Sequence, residues 1–260
     1  MPITIEGKKI LVTGGARGIG GESARYFAAE GASVVTFDVK DDLGERLAKE
    51  ATALGPGSVT YRHVDVTNIP EIRAGVEFAV QELGGLDAVF NVAGVAPHAP
   101  AEAIPEADWD LALAVNVKGL AYVCEAVFPH LKDRGGSIVN FASDAALMDV
   151  PVHSAAYSAS KGAVISYTRT IGREWAKYGI RSNSVNPVVM TPIVDEARAV
   201  LSEEEKAQYA KAIEESIPLG GEFGDVTQDL APVLLFLASD ASKFMTSGIF
   251  CVNGGLAYVR

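Results

Sequence analysis

The stretch T-G-G-A-R-G-I-G (13–20) follows the apolar run K-I-L-V-T (9–13) and opens a helical pattern. Its glycines permit a tight turn and a close approach of the backbone to a pyrophosphate, which the free N–H groups of a helix N-terminus attract. A plain strand-to-helix turn also favours glycine, so the pattern alone is weak evidence. Its place after the first strand of the chain strengthens it and predicts a dinucleotide-binding loop.

Outward from this loop, β-branched runs alternate with helical patterns. Strands are predicted at 9–13, 33–38, 59–66, 86–92, 137–142, 181–186 and 248–253. Helices are predicted near 18–30, 41–54, 68–83, 106–132, 153–177 and 227–239, with a polar helical insert near 194–216. This alternation is typical of a parallel sheet covered on both faces. It predicts an α/β fold, a doubly wound, Rossmann-type seven-stranded parallel sheet flanked by helices. We expect one domain over 1–260 and a substrate lid at about 190–220.

Composition excludes several classes of function. The 260 residues are 48% hydrophobic, enough for one large core. The formal net charge is -11 and no cluster of Lys and Arg would follow a phosphate backbone, which argues against nucleic-acid binding. We see no signal peptide and no apolar run near the roughly 20 residues that span a bilayer, so we expect a cytoplasmic protein without membrane contact. Cys124 and Cys251 are interpreted as small buried hydrophobes, and no metal site is predicted.

The second predicted strand ends at Asp38, 18 positions after Gly20. Ligands of doubly wound sheets bind beyond the carboxyl ends of the strands, where a carboxylate can accept both hydroxyls of an adenosine ribose. The alternative is a solvated acid at a strand end. Arg17 opposes Asp38, because a basic residue there favours a 2′-phosphate. We give Asp38 more weight, since it would repel that phosphate while Arg17 can turn to solvent or to the pyrophosphate. The predicted cofactor is therefore NAD.

The third and fourth strands add further candidates. Asp65 can hydrogen-bond an adenine amino group, and Ala93 and Gly94 leave room for a cofactor against the backbone. Asn91 either contacts the cofactor or bonds neighbouring backbone and holds the sheet together.

Four motifs occur in order along the chain: T-G-x-x-x-G-x-G, N-V-A-G (91–94), the serine of F-A-S (141–143) and Y-x-x-x-K (157–161). On these residues the chain resembles the short-chain dehydrogenase/reductase family in its shorter single-domain form, from Lys9 to about Gly255. The resemblance implies a catalytic set of Asn116, Ser143, Tyr157 and Lys161, in which Asn116 holds a water that connects Lys161 to solvent. An asparagine that satisfies an irregular helix backbone is the other interpretation of Asn116. The resemblance also implies a homo-oligomer, a tetramer or a dimer.

The chemistry of Tyr157, Lys161 and Ser143 fits that implication. Positions i and i+4 share one helix face, so the Lys161 ammonium can stabilise a Tyr157 phenolate, with help from a bound nicotinamide cation. A free tyrosine, with a pKa of about 10, is otherwise too weak a base at neutral pH. Ser143 can hydrogen-bond the substrate oxygen where alkoxide charge develops. Lone Tyr-x-x-x-Lys pairs are more often surface contacts, but small residues surround this one.

Two segments depart from the usual family pattern. After the sixth strand the chain reads N-P-V-V-M-T-P (186–192) rather than N-P-G, and Asn253 stands where the family more often has aspartate, to which we attach no functional meaning. The resemblance implies that the Thr191 hydroxyl and the Val189 backbone contact the nicotinamide amide. The predicted cofactor-binding residues are Gly14, Arg17, Gly18, Ile19, Gly20, Asp38, Asp65, Val66, Asn91, Ala93, Gly94, Tyr157, Lys161, Pro187, Val189 and Thr191.

Three stretches are predicted to line the substrate pocket: 95–100, 144–153 and 188–194. They are mostly apolar and contain no Arg or Lys, so an anionic substrate would lack a partner. We predict a neutral, mainly hydrophobic secondary alcohol or its ketone. His98 and His153 either orient a second oxygen atom or are ordinary loop and helix-start residues. The predicted pocket residues are Val95, His98, Ala145, Leu147, His153, Val188 and Met190.

Three alternatives to an NAD-dependent alcohol dehydrogenase or ketone reductase stay open. One is an epimerase or dehydratase of the same fold that retains its NAD. Another is a carbonyl reductase that prefers NADP. A regulatory protein that binds the cofactor without catalysis is the third, although it would be expected to have lost Tyr157, Lys161 or Ser143, and all three are present.

Overall fold

The computed structural model describes residues 3–148, 153–199 and 201–257. Its strands form a seven-stranded sheet in the order β3-β2-β1-β4-β5-β6-β7, and every neighbouring pair is parallel. The order reverses between β1 and β4, which is where doubly wound sheets place a ligand crevice. The strands are β1 Lys9–Thr13, β2 Ser33–Asp38, β3 Ser58–His63, β4 Ala88–Asn91, β5 Gly136–Phe141, β6 Ile180–Pro187 and β7 Ile249–Val252. The predicted fold class is confirmed.

Helices connect the strands. They are α1 Gly18–Ala29, α2 Asp41–Leu54, α3 Ile69–Leu83, α4 Glu106–Ala112, α5 Leu120–Leu131, α6 Ala155–Glu174, α7 Pro192–Ala199, α8 Glu203–Ser216 and α9 Ala231–Ala238. Local signals set their ends. The Asn68 side chain caps α3, which ends at Gly84 in the left-handed region. Ser202 and Glu205 form a reciprocal capping box that starts α8.

The core lies on both faces of the sheet, because successive side chains of a strand point to opposite sides. Ile10 and Val12 pack in one cluster, and Leu11 between them packs in the other. Helices α1, α2 and α9 cover the first face, and α3, α5 and α6 cover the second. The carboxyl ends of the strands stay uncovered, and the candidate site forms there.

Several predicted elements differ in detail. The strand predicted at 59–66 ends at His63, which leaves Asp65 and Val66 in the following loop. The polar insert forms two helices, α7 and α8. The helix predicted at 106–132 spans 106–131, and its middle section, Leu113–Gly119, is π-helical and joins α4 to α5. Another π-helical segment, Val226–Leu230, precedes α9.

The long helix corrects one expectation. An 18-residue window of Glu106–Leu131 has a mean hydropathy of 1.6, and the helix is long and apolar enough to cross a membrane, by length and composition only. In the fold, its residues Val123, Cys124, Val127 and Leu131 are fully buried in the second core cluster. Its apolar character therefore has an explanation in the core of the protein.

The interpretation of the cysteines agrees with the fold. Both are free thiols, Cys124 buried and Cys251 partly buried. Within the described ranges, no group of three or more His, Cys, Asp or Glu side chains could hold a metal ion.

Candidate active site

A cavity of about 730 Å³ lies at the carboxyl ends of the strands. That volume is ordinary for a site that binds a small molecule or cofactor. Its walls come from the segments that follow strands β1 to β6, from Val115 and from the first two turns of α6. Every predicted cofactor-binding residue except Asn91 lines it, and so does Ser143.

The glycine loop owes its shape to steric limits at two positions. Gly14 has a φ of +69°, and a Cβ there would lie 2.8 Å from the Ala93 Cα. Gly18 has a φ of +59°, and around it only the Pro192 Cδ lies within 4 Å of a Cβ, at 4.0 Å. Gly14 therefore allows two backbones to approach each other, while Gly18 allows the chain to turn into α1 without closing the cavity.

Asp38 ties this loop to the end of β2. One carboxylate oxygen accepts the Ala16 N–H at 3.0 Å, and the other accepts the N–H groups of Val39 at 2.8 Å and Lys40 at 3.1 Å. Two carboxylate oxygens offer about four lone-pair sites, so these three bonds leave acceptor capacity directed at the cavity. The side chain is thus fixed before any ligand binds.

Sequence reasoning missed Lys40, which lines the cavity along with Arg17. The signal was its position two residues after a strand-end carboxylate. Two basic side chains and one acidic side chain therefore line the part of the cavity around the glycine loop and the end of β2.

Ser143, Tyr157 and Lys161 converge on the same cavity. The Ser143 hydroxyl hydrogen-bonds the Tyr157 phenol, and its oxygen also accepts the Ala145 N–H at 3.2 Å. The Lys161 Nζ donates to the Phe141 carbonyl at 2.7 Å and lies 5.7 Å from the centroid of the Tyr157 ring. A hydroxyl, a phenol and an ammonium thus share one site. The sequence predicted this from the shared helix face of Tyr157 and Lys161 and from the place of Ser143 at the end of a strand.

Burial shifts the pKa of Tyr157 and the pKa of Lys161 in opposite directions. It raises the pKa of Tyr157 above its ordinary value, against the opposing hydrogen bond from Ser143. It lowers the pKa of Lys161 to about 8, so the ammonium is still mostly protonated at neutral pH. Lys161 alone therefore does not bring the Tyr157 phenol to the lowered pKa that the sequence argument expects. A further positive charge at the site, such as an oxidised nicotinamide would carry, is needed to favour the phenolate.

Asn116 lies in the π-helical segment and is buried. Its amide nitrogen donates to the Val95 carbonyl at 2.8 Å and to the Ser160 hydroxyl at 2.9 Å, and its oxygen accepts the Val95 N–H at 2.8 Å. A Cβ built on Gly94 would lie 3.2 Å from the Asn116 oxygen and 3.4 Å from the Lys161 Nζ. Asn116 therefore adjoins Lys161 without lining the cavity, at an irregular section of helix as its structural interpretation anticipates. The bound water stays a prediction.

Asn91 has its side chain inside the sheet. Its amide nitrogen donates to the Asn140 oxygen at 2.8 Å and to the Cys124 sulfur at 3.3 Å. Of the two roles that the sequence left open, these bonds favour the one that holds the sheet together.

The predicted substrate pocket fits the structure less well. Val95 lines the cavity, and the other six predicted residues, His98, Ala145, Leu147, His153, Val188 and Met190, do not. Pro187, Val189 and Thr191 line it, while Val188 and Met190 alternate with them. The Val188 N–H donates to the Val252 carbonyl and the Met190 N–H to the Gly224 carbonyl. Neighbouring residues of an extended segment point to opposite sides, so Val188 and Met190 do not line this cavity, and their contact with the substrate stays a prediction.

His98 and His153 pair with each other outside the cavity. Their ring centroids are 5.4 Å apart, and the Ala99 N–H donates to the His153 carbonyl at 2.9 Å. Residues 149–152 of the second predicted stretch lie outside the described residues. Ala96, Pro192 and Val194, which belong to the predicted stretches 95–100 and 188–194, do line the cavity, whereas sequence reasoning missed the apolar cavity residues Val115 and Ala142. Val115 could not be found by helical periodicity, because the π-helical segment changes the facing of its residues.

The residues present fit a nicotinamide dinucleotide. Helix α1 starts at Gly18 on the wall of the cavity and has no acidic residue in its first turn, which leaves its N–H groups free to attract a pyrophosphate. The Asp38 carboxylate suits ribose hydroxyls. At the other end of the cavity, the missing side chain of Gly94 leaves the backbone open beside Lys161.

Comparison with known proteins covers almost the whole chain. Residues 14–257 match the model of the family described as enoyl-(acyl carrier protein) reductase. The 3-oxoacyl-[acyl-carrier-protein] reductase FabG of Thermotoga maritima is 38% identical over 97% of this chain and 98% of its own length. The crystal structure of levodione reductase superposes with a TM-score of 0.89 at 27% identity, covering 96% and 97% of the two chains. A 7α-hydroxysteroid dehydrogenase complexed with NADH and 7-oxo glycochenodeoxycholic acid gives a TM-score of 0.88 at 29% identity, covering 97% and 95%.

Proposed function

The chain belongs to the short-chain dehydrogenase/reductase family, and from this we propose that it interconverts a neutral, mainly hydrophobic secondary alcohol and its ketone with NAD. One observation carries the proposal: Ser143, Tyr157 and Lys161 converge on a cavity that also contains the glycine loop and Asp38. Hydroxyl, phenol and ammonium are the groups that proton transfer at an alcohol oxygen requires. The same convergence argues against a regulatory protein without catalysis.

The residues divide the proton chemistry between them. A nicotinamide held in the cavity would supply the hydride acceptor for alcohol oxidation and the hydride donor for ketone reduction. During oxidation, the Tyr157 phenolate takes the proton of the substrate hydroxyl as the C–O bond becomes a carbonyl. During reduction, the Tyr157 phenol returns a proton to the same oxygen. Ser143 donates its hydroxyl hydrogen to that oxygen, where negative charge develops.

Lys161 supplies the positive charge next to the phenol. Its ammonium is held by the Phe141 carbonyl at 2.7 Å and stays charged up to a pH of about 8. Close to the phenol and away from water, the charge favours the phenolate more than an exposed lysine would. Above this pH the ammonium loses its proton, so the rate of alcohol oxidation should stop rising with pH.

Asp38 supports the choice of NAD over NADP. Its fixed carboxylate suits two ribose hydroxyls and repels a 2′-phosphate, and the hydroxysteroid dehydrogenase of the comparison was solved with NADH. Arg17 and Lys40, which also line the cavity, favour the phosphate and keep NADP as the alternative. The ratio of kcat/KM for NAD and NADP decides between them.

The apolar wall supports the choice of substrate. Val95, Ala96, Val115 and Val194 line the cavity, and its three basic residues are Arg17, Lys40 and the buried Lys161. The names of levodione reductase and 7α-hydroxysteroid dehydrogenase denote a dione and a hydroxysteroid, which agree with a cyclic substrate.

A second candidate is the reduction of a 3-oxoacyl group on an acyl carrier protein. The relative from Thermotoga maritima favours it, since that protein is named for this reaction. Against it, the stretches 95–100 and 188–194 hold no Lys or Arg that would bind an anionic carrier. The helices α7 and α8, which follow the Thr191 segment, are proposed to cover the substrate as a lid.

A substrate panel tests both candidates. The purified chain is assayed with NADH against cyclic and aryl ketones, and with NAD against the corresponding alcohols. Hydroxy acids, sugar phosphates and a 3-oxoacyl thioester form the comparison set. We expect the highest kcat/KM for a neutral cyclic compound. A clear preference for an anionic compound or for the thioester would contradict the substrate proposal, and catalysis by Tyr157 would still stand.

A further inference from the structure

A second ionisable group lies behind the site, next to Ser143 in the chain. Asp144 is only 4% exposed, and its carboxylate accepts the Asn253 amide N–H at 2.6 Å. A carboxylate taken out of water is costly unless hydrogen bonds compensate for the lost hydration. An ordinary turn after β5 requires no such group, so its burial calls for an explanation.

The side-chain amide of Asn253 makes hydrogen bonds with both of its hydrogens and with its oxygen. The Asn253 nitrogen gives its other hydrogen to the Ala257 carbonyl at 2.9 Å, and its oxygen accepts the Gly255 N–H at 3.0 Å. Asn253 therefore has one fixed orientation, with its N–H directed at Asp144. The contact has a carboxylate on one side and an amide on the other, so two acids do not meet. The family more often has aspartate at position 253, where a second carboxylate would face Asp144.

Two other strands contribute to the surroundings of Asp144. Asn186 and Cys251 are register partners on β6 and β7, and both side chains lie near the carboxylate. Their donors favour its charged form, while burial raises its pKa. Neither amide atom of Asn186 makes a hydrogen bond of ordinary geometry among the described residues, so the contact with Asn253 is the main one.

The position of this group links it to the reaction. Asp144 follows Ser143, and Asn186 precedes Pro187, which lines the cavity. The carboxylate therefore connects the end of β5, which carries the reactive hydroxyl, to the end of β6 and to the segment after β7.

We propose that Asp144 is a positioning residue, whose contact with Asn253 holds the Ser143 hydroxyl in its hydrogen bond with Tyr157. The proposal deepens the proposed function and rests on it only for the activity measurements. Asp144 touches neither substrate nor cofactor. Its removal should therefore weaken the chemical step and leave dinucleotide binding intact.

Kinetics of three variants provide the first test. Asp144→Ala removes the contact, and we expect kcat to fall at least tenfold while the Kd for NADH, measured by fluorescence, changes less than twofold. The conservative variant Asp144→Asn keeps an acceptor oxygen for the Asn253 N–H, and we expect its kcat within threefold of the original chain. Asp110→Asn, an exposed carboxylate of α4, is the matched control and should change nothing. An undiminished kcat in folded Asp144→Ala, or a kcat of folded Asp144→Asn as low as that of Asp144→Ala, would overturn the proposal.

A readout without turnover covers the case in which no tested alcohol or ketone reacts. Loss of the Ser143 bond should raise the pKa of Tyr157, because that bond lowers it. Ring-labelled tyrosine observed by ¹³C NMR, with Tyr157→Phe for assignment, gives this pKa in each variant. A higher pKa of Tyr157 in Asp144→Ala, and an unchanged one in Asp144→Asn, supports the positioning role even if the proposed function fails. An equal pKa in the original chain and Asp144→Ala rejects the role whatever the activity is.

Discussion

Two ends of the cavity depend on different physical features: the nucleotide end, around the glycine loop and Asp38, and the catalytic end, around Tyr157 and Lys161. At the nucleotide end, Gly14 and Gly18 fix the course of the backbone, and Asp38 is held by three backbone N–H groups. At the catalytic end, Tyr157 is partly buried and Lys161 is buried, and this burial raises the pKa of Tyr157 and lowers that of Lys161. Binding thus depends on the shape of the main chain, whereas chemistry depends on how far side chains are removed from water. Substitutions at the two ends should consequently affect different constants.

The largest difference between the effect on turnover and the effect on cofactor binding is expected for Tyr157→Phe. The change removes the oxygen that transfers the proton and keeps the ring, so kcat should fall by about 10² or more. The Kd for NADH, measured by fluorescence titration, should stay within about twofold of the original value.

Tyr167→Phe, on the same helix, is the matched control, because its hydroxyl bonds the Ala121 carbonyl at 3.4 Å and Tyr167 does not line the cavity. It should leave kcat unchanged. If Tyr157→Phe kept a near-native turnover, the catalytic end would be misassigned.

The opposite pattern is expected for Gly14→Ala. A Cβ would press on the backbone of Ala93 and hold a residue other than glycine at a φ of +69°. Strain of this kind is worth of order 1–3 kcal/mol, so the Kd for NADH should rise by about tenfold or more.

Gly162→Ala in α6 is the control, since a Cβ there meets nothing within 4 Å. It should bind NADH as tightly as the original chain. Equal affinities for both variants would show that close backbone contact does not limit binding at the nucleotide end.

A smaller effect is expected for Asp38→Ala. Without the carboxylate, the repulsion of a 2′-phosphate disappears while Arg17 and Lys40 remain, so the kcat/KM ratio of NAD to NADP should fall by about tenfold. Steady-state kinetics with both cofactors measures it. Adding Lys40→Ala to Asp38→Ala should restore part of the kcat/KM ratio of NAD to NADP. If the original chain itself prefers NADP, the basic residues outweigh Asp38.

The smallest effect concerns stability. Burial lowers the pKa of Lys161 to about 8 from an ordinary 10.5. Between these values the unfolded chain binds more protons than the folded one, so the free energy of unfolding should rise with pH over this window. Lys161→Met should lack that rise.

At pH 7 the same variant should be more stable than the original chain by about 1 kcal/mol, since the relief of burying a charge is partly offset by the lost bond to Phe141. Urea unfolding at pH 7 and at pH 10 measures both effects. A less stable variant at pH 7 would show that the ammonium is better solvated than its burial implies. Whatever its stability, Lys161→Met should lose its enzymatic activity.

The sequence predicted the nucleotide end better than the catalytic end. Strands β1 and β2 have the predicted limits, and the glycines and Asp38 line the cavity, because turns that only glycine tolerates leave a local record in the sequence. The contact between Asp144 and Asn253 joins residues 109 positions apart, and no local pattern records it. Val188 and Met190 lie outside the cavity lining, and the sequence could not show this because the backbone direction after β6 depends on its pairing with β7 and Gly224.

The π-helical turn at Leu113–Gly119 has a consequence for insertions and deletions. An α-helix rotates by about 100° per residue, whereas a π-turn contains one residue more for nearly the same advance. Deletion of one residue between 113 and 119 would convert the segment to an ordinary helix. Because the π-turn absorbs the extra residue, Val123 and Val127 would keep their facing, whereas the side chains inside the segment would shift and Asn116 would leave Val95. A single-codon deletion here should therefore be far more damaging than a substitution at most of the same positions. The extra residue of this π-helical segment is part of what keeps the Asn116 amide beside Lys161.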